Sequence, residues 1–172
     1  MNNIVEIKQL EKKYGNKEVL KGLNLTISSG QIVGLLGPNG CGKTTLIKTI
    51  VGLIKDYKGS VLIDGNSPNT YTKSIVSYLP EKTYLSNWMT VKDALCLFDD
   101  FYTNFNIEKA RDMANSLHLE EKQKITTMSK GMQEKMQLIL VMSREAKLYV
   151  LDEPIGGVDP AARDYILSTI LK

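Results

Sequence analysis

The sequence contains little of what would indicate a disulfide-stapled or nucleic-acid-binding protein. Cys41 and Cys96 are its only cysteines, and so little cysteine favours a reducing compartment such as the cytosol. Basic residues form no cluster, and 22 of them against 19 acidic residues give a net charge of only +3. This balance is too mild to indicate nucleic acid or an anionic membrane surface as a partner, and we expect no nucleic acid partner.

Long apolar segments are also missing. No N-terminal segment resembles a signal peptide, and no apolar run approaches the roughly 20 residues of a membrane-spanning helix. With 172 residues and no internal repeat, the chain suits a single domain. We therefore expect a soluble protein without direct membrane insertion, which would act at a membrane only through a partner.

A glycine-rich loop is the most informative stretch of the chain. Residues 37–44 match the pattern G-x-x-x-x-G-K-[ST] at each fixed position. The apolar run Ile32–Leu36 before them predicts a buried strand, and Thr45–Ile50 after them predicts a helix, which is the order of a P-loop. Backbone N–H groups and the helix N-terminus would surround phosphate oxygens. The predicted nucleotide-binding residues are Gly37, Pro38, Asn39, Gly40, Cys41, Gly42, Lys43, Thr44 and Thr45.

Four side chains have predicted chemical roles. Lys43 would reach the β- and γ-phosphates and act in catalysis, and the Thr44 hydroxyl would bind Mg²⁺. A second apolar run, Lys147–Leu151, predicts a strand that ends in two carboxylates. Asp152 would hold Mg²⁺, and Glu153 would polarise the attacking water as a general base. The alternative for this pair is an acidic strand end that caps a turn.

Periodicity predicts the remaining elements. Strands are expected at residues 4–10, 19–27, 60–65 and 75–80, and the alternation in the first of them indicates an antiparallel sheet. Helices are expected from an N-cap at Thr90, at residues 107–117, at residues 129–143 and at residues 160–171.

Together, these motifs resemble the ATP-binding cassette (ABC) ATPases that drive membrane transporters, over almost the whole chain. The resemblance implies an α/β fold, with a P-loop NTPase core containing a parallel sheet, an N-terminal antiparallel β subdomain and an inserted helical subdomain. Residues 1–172 would form one ABC ATPase domain. Residues 1–80 would hold the antiparallel sheet and the P-loop core, and residues 82–124 the helical subdomain. Residues 125–172 would hold the signature, the second carboxylate strand and the D-loop.

The resemblance also implies an activity and partners. The chain would hydrolyse ATP, with Mg²⁺ as cofactor, and would dimerise on ATP with a second ABC ATPase subunit, in a homodimer or a heterodimer. The dimer would drive a transmembrane permease at the inner face of the plasma membrane. The segment Tyr84–Met89 would receive the permease, or else belongs to a local core.

Further site residues follow from the resemblance alone. Tyr14 matches the aromatic residue that stacks on adenine. Ser129 and Gly131 match the signature sequence, usually Leu-Ser-Gly-Gly-Gln, which binds the γ-phosphate of the opposing subunit. Its variant form here resembles bacterial drug- and peptide-export cassettes. Glu81 stands where the family usually has a glutamine that senses Mg²⁺, and Gly156–Asp159 matches the D-loop.

One departure concerns the end of the chain. The family places a histidine that contacts the γ-phosphate beyond the D-loop helix, whereas this sequence ends at Lys172 and His118 is no substitute. We therefore expect the final strand of the parallel sheet to be missing, and a truncated cassette that binds ATP with weak or no turnover.

Three alternatives to a transporter subunit stay open at this stage. The first is a non-transport cassette, which uses ATP-driven dimerisation as a clamp in translation or DNA repair. The second is a small P-loop kinase, which would leave the series from Ser129 to Asp159 unexplained. The third is a nucleotide-binding fragment that does no useful work.

Overall fold

The computed structural model describes residues 2–153 and, nearer the C-terminus, residues 164, 167 and 168. The chain divides into two compact units, Met1–Val76 and Ser77–Lys172. The three separate residues near the C-terminus are helical. The predicted D-loop and the rest of the helix predicted at residues 160–171 lie outside the described residues.

The first unit contains an antiparallel sheet and two short helices. Its elements are β1 (Asn3–Tyr14), β2 (Lys17–Ser28), α1 (Lys43–Ile50), β3 (Lys58–Ile63) and α2 (Thr70–Ile75). β1 lies at the centre of the sheet and pairs antiparallel with both other strands. The alternation of β1 places Val5 and Ile7 opposite Ile63 and Val61, and each of these four side chains is at most 1% exposed. The predicted antiparallel sheet is confirmed.

The helix α2 was missed by the sequence reasoning. It has only six residues, too few to show helical periodicity, and it is defined by its cap instead. The Asn69 side chain accepts a hydrogen bond from the Thr72 backbone N–H, and the Thr72 hydroxyl accepts one from the Asn69 N–H. This reciprocal capping box satisfies two N–H groups at the start of the helix.

The predicted strand at Ile32–Leu36 is wrong. Residues 31–36 belong to no strand or helix in this structure, and the side chains of Ile32 and Leu36 are 68% and 92% exposed. An apolar run becomes a strand only where neighbouring strands accept and donate its backbone hydrogen bonds. The described strands pair within a sheet of β1, β2 and β3 and within a sheet of two later strands, and neither includes this segment.

The second unit is built mainly from helices. Its elements are β4 (Val76–Leu79, starting at the last residue of the first unit), α3 (Val91–Phe101), α4 (Ile107–Ser116), a 3₁₀ helix (Ile125–Thr127), α5 (Lys130–Met142) and β5 (Leu148–Leu151). β4 and β5 form a two-stranded parallel sheet. The predicted N-cap at Thr90 is confirmed, because its hydroxyl accepts from the Asp93 N–H while the Asp93 carboxylate accepts from the Thr90 N–H. The predicted helices at residues 107–117 and 129–143 are also confirmed.

The core of the second unit surrounds α5. Every residue from Met136 to Met142 is at most 6% exposed, so this part of the helix is buried on all sides. Side chains of α3 and α4, including Leu95 and Met113, belong to the same apolar cluster. A helix segment that is buried on all sides is held in place by its neighbours, which makes α5 a rigid support for the residues it carries. Among the described residues, no helix is long and apolar enough to cross a membrane.

A bulge in β1 leaves room only for glycine at one position of β3. The register between the two strands shifts between Lys8 and Glu11, and Gln9 has a φ of +49°. Opposite the bulge, Gly59 has a φ of +90°, and a Cβ there would lie 2.2 Å from the Gln9 carbonyl oxygen. This position therefore excludes a side chain for two reasons, the backbone conformation and the close approach of β1.

We expect Gly59→Ala to lower the free energy of unfolding by about 2–5 kcal/mol, which combines the strain of a positive φ with overpacking. Gly65→Ala is the matched control. Gly65 also has a positive φ, +74°, but a Cβ there would have no atom within 4 Å. The control should cost only the strain of about 1–2 kcal/mol. Urea unfolding measures both, and equal losses for the two variants would contradict the bulge contact.

Candidate functional site

The glycine-rich loop of the first unit leads directly into α1. Gly42 is the N-cap of α1 with a φ of +106°, and no side chain caps this helix end. A Cβ at Gly42 would lie 3.0 Å from the Val19 Cγ1 atom and 3.2 Å from the Val19 carbonyl oxygen, so the start of α1 packs directly on β2. The sequence thus places an uncapped helix N-terminus, with its N–H groups and partial positive charge, at the end of the loop.

The side chain of Lys43 folds back over the loop. Its ammonium group donates to the carbonyl oxygen of Gly37 at 2.7 Å and to that of Pro38 at 3.0 Å. Thr44 and Thr45 follow it in the first turn of α1, and both are half-buried. The loop therefore concentrates a cation and backbone donors in one place, which is the chemistry that binds anionic phosphate groups.

Tyr14 lies at the end of β1, in the hairpin that leads to β2. Its side chain is 51% exposed, which leaves ring surface for a ligand. The Lys12 ammonium lies 5.0 Å from the ring centroid and pairs with the Asp56 carboxylate at 3.0 Å. Lys12 is itself buried, so the ring rests on a fixed cation within the same unit as the loop.

Three of the predicted site residues come together in the second unit. Glu81, Asp152 and Glu153 line one solvent-open pocket. The backbone N–H of Asp152 donates to the Leu79 carbonyl oxygen at 2.9 Å, which joins the ends of β4 and β5 at this point. The full lining is Leu79, Pro80, Glu81, Glu134, Gln137, Asp152 and Glu153.

Asp152 is the buried carboxylate of this pocket. The residue is 6% exposed, and among the described residues its Oδ2 atom has no hydrogen-bond partner. Burial raises the pKa of the nearby Tyr78 phenol above its ordinary value, and the negative charges of Asp152 and Glu81 raise it further. A buried carboxylate oxygen without a partner is costly unless a cation or donor binds it.

Glu153 is exposed and has a strained backbone. Its φ is +53°, in the left-handed region that residues with a Cβ rarely adopt. Such strain is typical of functional sites, where a side chain is aimed by its neighbours rather than by its own preference. The arrangement leaves the carboxylate open to solvent, where it could accept a proton from water.

The oxygen donors of the pocket fit a divalent cation such as Mg²⁺. Hard cations of this kind take carboxylate and amide oxygens and keep several waters. Asp152 is the strongest candidate ligand because its Oδ2 atom has no protein partner among the described residues. No group of three or more acidic, histidine or cysteine side chains in the described part of the chain converges on one metal position. A cation here would therefore depend on further ligands such as water and phosphate.

Two pocket residues were missed by the sequence reasoning. Glu134 and Gln137 are three residues apart on α5, so both lie on the helix face that meets the pocket. The same face continues to Val141, whose carbonyl oxygen accepts a hydrogen bond from the Ser77 hydroxyl of β4 at 2.8 Å. Helical spacing could have grouped these residues, but the sequence does not show which face of α5 meets the carboxylates.

The predicted signature residues lie at the N-terminus of α5. Ser129 is the N-cap, and its exposed hydroxyl accepts from the Met132 N–H at 3.3 Å. Gly131 is half-buried in the first turn. The Gln133 side chain donates to the carbonyl oxygens of Ile125 and Met128, which holds the segment before the cap. These residues are thus separate from the pocket on the same helix.

Comparison with known proteins gives consistent similarities. A family model described as "ABC transporter" matches residues 20–156. The chain is 35% identical to the uncharacterized ABC transporter ATP-binding protein YdbJ of Bacillus subtilis, over 95% of this chain and 56% of that protein. It is 32% identical to the SkfA peptide export ATP-binding protein SkfE of the same organism, over 95% of this chain and 71% of that one. A solved ATP-binding subunit of an ABC transporter aligns with a TM-score of 0.88 at 28% identity, over 98% of this chain and 73% of that chain.

We expect Asp152→Asn to raise the free energy of unfolding of the ligand-free chain by about 1 kcal/mol or more, because it removes a buried charge without a partner. Glu153→Gln is the matched control, since it neutralises an exposed neighbour and should change stability by less than about 0.5 kcal/mol. Urea unfolding in the presence of a chelator measures both. A less stable Asp152→Asn variant would show that the carboxylate is satisfied in the ligand-free protein.

Proposed function

The chain belongs to the ABC transporter family, and we propose that it is the ATP-binding and ATP-hydrolysing part of a transporter. The observation that carries this proposal is the loop before α1, where the Lys43 ammonium and an uncapped helix N-terminus are concentrated. Family membership favours this function over the kinase alternative. The chain spans 56% of the length of YdbJ. The activity and the partners described below are therefore proposals for this chain.

The roles of the individual residues follow from their chemistry. We propose that Gly37–Thr45 bind the phosphates of ATP and that Tyr14 stacks on the adenine. When bound, Mg²⁺ would neutralise charge on the phosphates, and Thr44, Glu81 and Asp152 would hold it. Glu153, exposed beside the buried Asp152, would take a proton from the attacking water.

The proposal extends to partners and location. Ser129 and Gly131 would contribute the exposed N-terminus of α5 to ATP bound by a second ABC ATPase subunit. The dimer would drive a transmembrane permease from the cytoplasmic side of the membrane. The peptide-export function in the name of SkfE supports an exporter. The segment Tyr84–Met89 includes Trp88, whose side chain is 72% exposed, and supports a permease contact there.

Mg²⁺-ATP should raise the unfolding midpoint of the chain, and Lys43→Ala should abolish most of that shift. A ligand that binds only the folded state stabilises it by about 2.7 kcal/mol at a concentration of one hundred times its Kd. Lys48→Ala is the matched control, because Lys48 is an exposed lysine in the last turn of the same helix. Thermal unfolding with and without Mg²⁺-ATP measures the shift. The same shift in all three proteins, or none in the parent, would contradict the loop assignment.

Glu153→Gln should lower the rate of ATP hydrolysis by about 10²–10⁴-fold, the usual contribution of a general base, and should leave the ATP-induced thermal shift in place. Glu120→Gln, an exposed carboxylate of the same unit, is the control and should not change the rate. Phosphate release from Mg²⁺-ATP measures the rate. Full turnover by Glu153→Gln would exclude Glu153 as the base.

A further inference from the structure

Gln137 is a buried polar residue in an otherwise apolar stretch of α5. It is 3% exposed, its neighbours Met136 and Leu138 are fully buried, and it lines the pocket that contains Asp152. Its Oε1 atom has no hydrogen-bond partner among the described residues. A buried carbonyl oxygen in this condition costs about 1–3 kcal/mol, whereas a methionine of similar volume would avoid the cost. Folding alone therefore gives no reason for an amide at this position.

Among the described residues, the neighbours of Gln137 do not supply the missing donor. The Tyr78 phenol is also buried without a partner among the described residues. However, side chains alternate along a strand, and Ser77 is the β4 residue that bonds to α5 through Val141. Alternation therefore assigns Tyr78 to the opposite face of β4 from Ser77, and the structure shows no hydrogen bond from its phenol to Gln137. An occupant of the pocket that Gln137 lines would supply this donor.

The charges and hydrogen-bond acceptors that line the pocket determine which kind of ligand it can bind. Asp152 Oδ2 and Gln137 Oε1 are both buried acceptors without partners in the described part of the chain. Glu81 and Glu153 add carboxylates to the same lining, which disfavours an anion. A divalent cation satisfies a carboxylate oxygen, and the waters that it carries are strong donors for an amide oxygen.

We propose that Gln137 is a positioning residue for the divalent cation held by Asp152, and that its Oε1 atom accepts a hydrogen bond from a water bound to that cation. This inference rests on the proposed function. The packing of α5 supports it, because the burial of Met136–Met142 and the bond from Ser77 fix the orientation of the helix and hence of the amide. Groups that hold metal-bound water usually contribute 10- to 100-fold in metal affinity.

The test uses calorimetry to compare the affinity of the protein for ATP in the presence of Mn²⁺ with its affinity in the presence of a chelator. The ratio of the two is the gain due to the metal. Gln137→Met should lower this gain about tenfold and leave the affinity without metal unchanged. Gln137→Glu, which keeps an oxygen and adds a charge, should preserve or increase the gain.

Gln133→Met is the matched control on the same helix. It removes an amide that bonds to the carbonyl oxygens of Ile125 and Met128 outside the pocket, so it should lower stability but not the metal gain. A parental gain in Gln137→Met would overturn the proposal. If that variant does not fold, Gln137→Glu decides, and a loss of the gain there would overturn it. If the parent binds no ATP with or without Mn²⁺, the proposed function itself fails.

Discussion

The burial of α5 is the constraint on which the second unit depends. From Met136 to Met142 each residue of the helix is at most 6% exposed and most belong to the apolar cluster, so the rotation of the helix and its position along its axis are fixed. Its exposed N-terminus carries Ser129, and the face that meets the end of β5 carries Gln137. Eight residues of helix, about 12 Å, separate the two. Any change in the pocket that moved α5 would therefore also move Ser129.

The pocket at the end of β5 combines several features that oppose stability. Asp152 and Gln137 are buried with acceptors that lack partners in the described structure, and Glu153 adopts a left-handed backbone conformation. A domain selected only for stability would have apolar side chains and relaxed backbone at these positions. Destabilising features that occur together in one pocket indicate a functional site, because a ligand bound there would offset the lost free energy of folding.

Local signals made much of this structure predictable. The side chains of Thr90 and Ser129 each cap a backbone N–H only three residues later in the sequence. The strands of the first unit follow from the alternation of apolar residues, and Gly15 and Gly65 mark the turns beside them. Ile32–Leu36 was mispredicted because an apolar run does not specify its strand neighbours. Gln137 was missed for a similar reason, since its role depends on which face of α5 meets Asp152, and that is set by packing between distant segments.

The two units carry complementary chemistry. In the first, the loop offers donors and positive charge, namely the Lys43 ammonium and the N–H groups at the start of α1. In the second, the pocket offers acceptors and negative charge, namely Asp152, its neighbouring carboxylates and the Gln137 amide oxygen. An anion alone would satisfy only the first set, and a cation alone only the second. The proposed ligand, Mg²⁺-ATP, contains both kinds of charge, so its chemistry matches that of each unit taken separately.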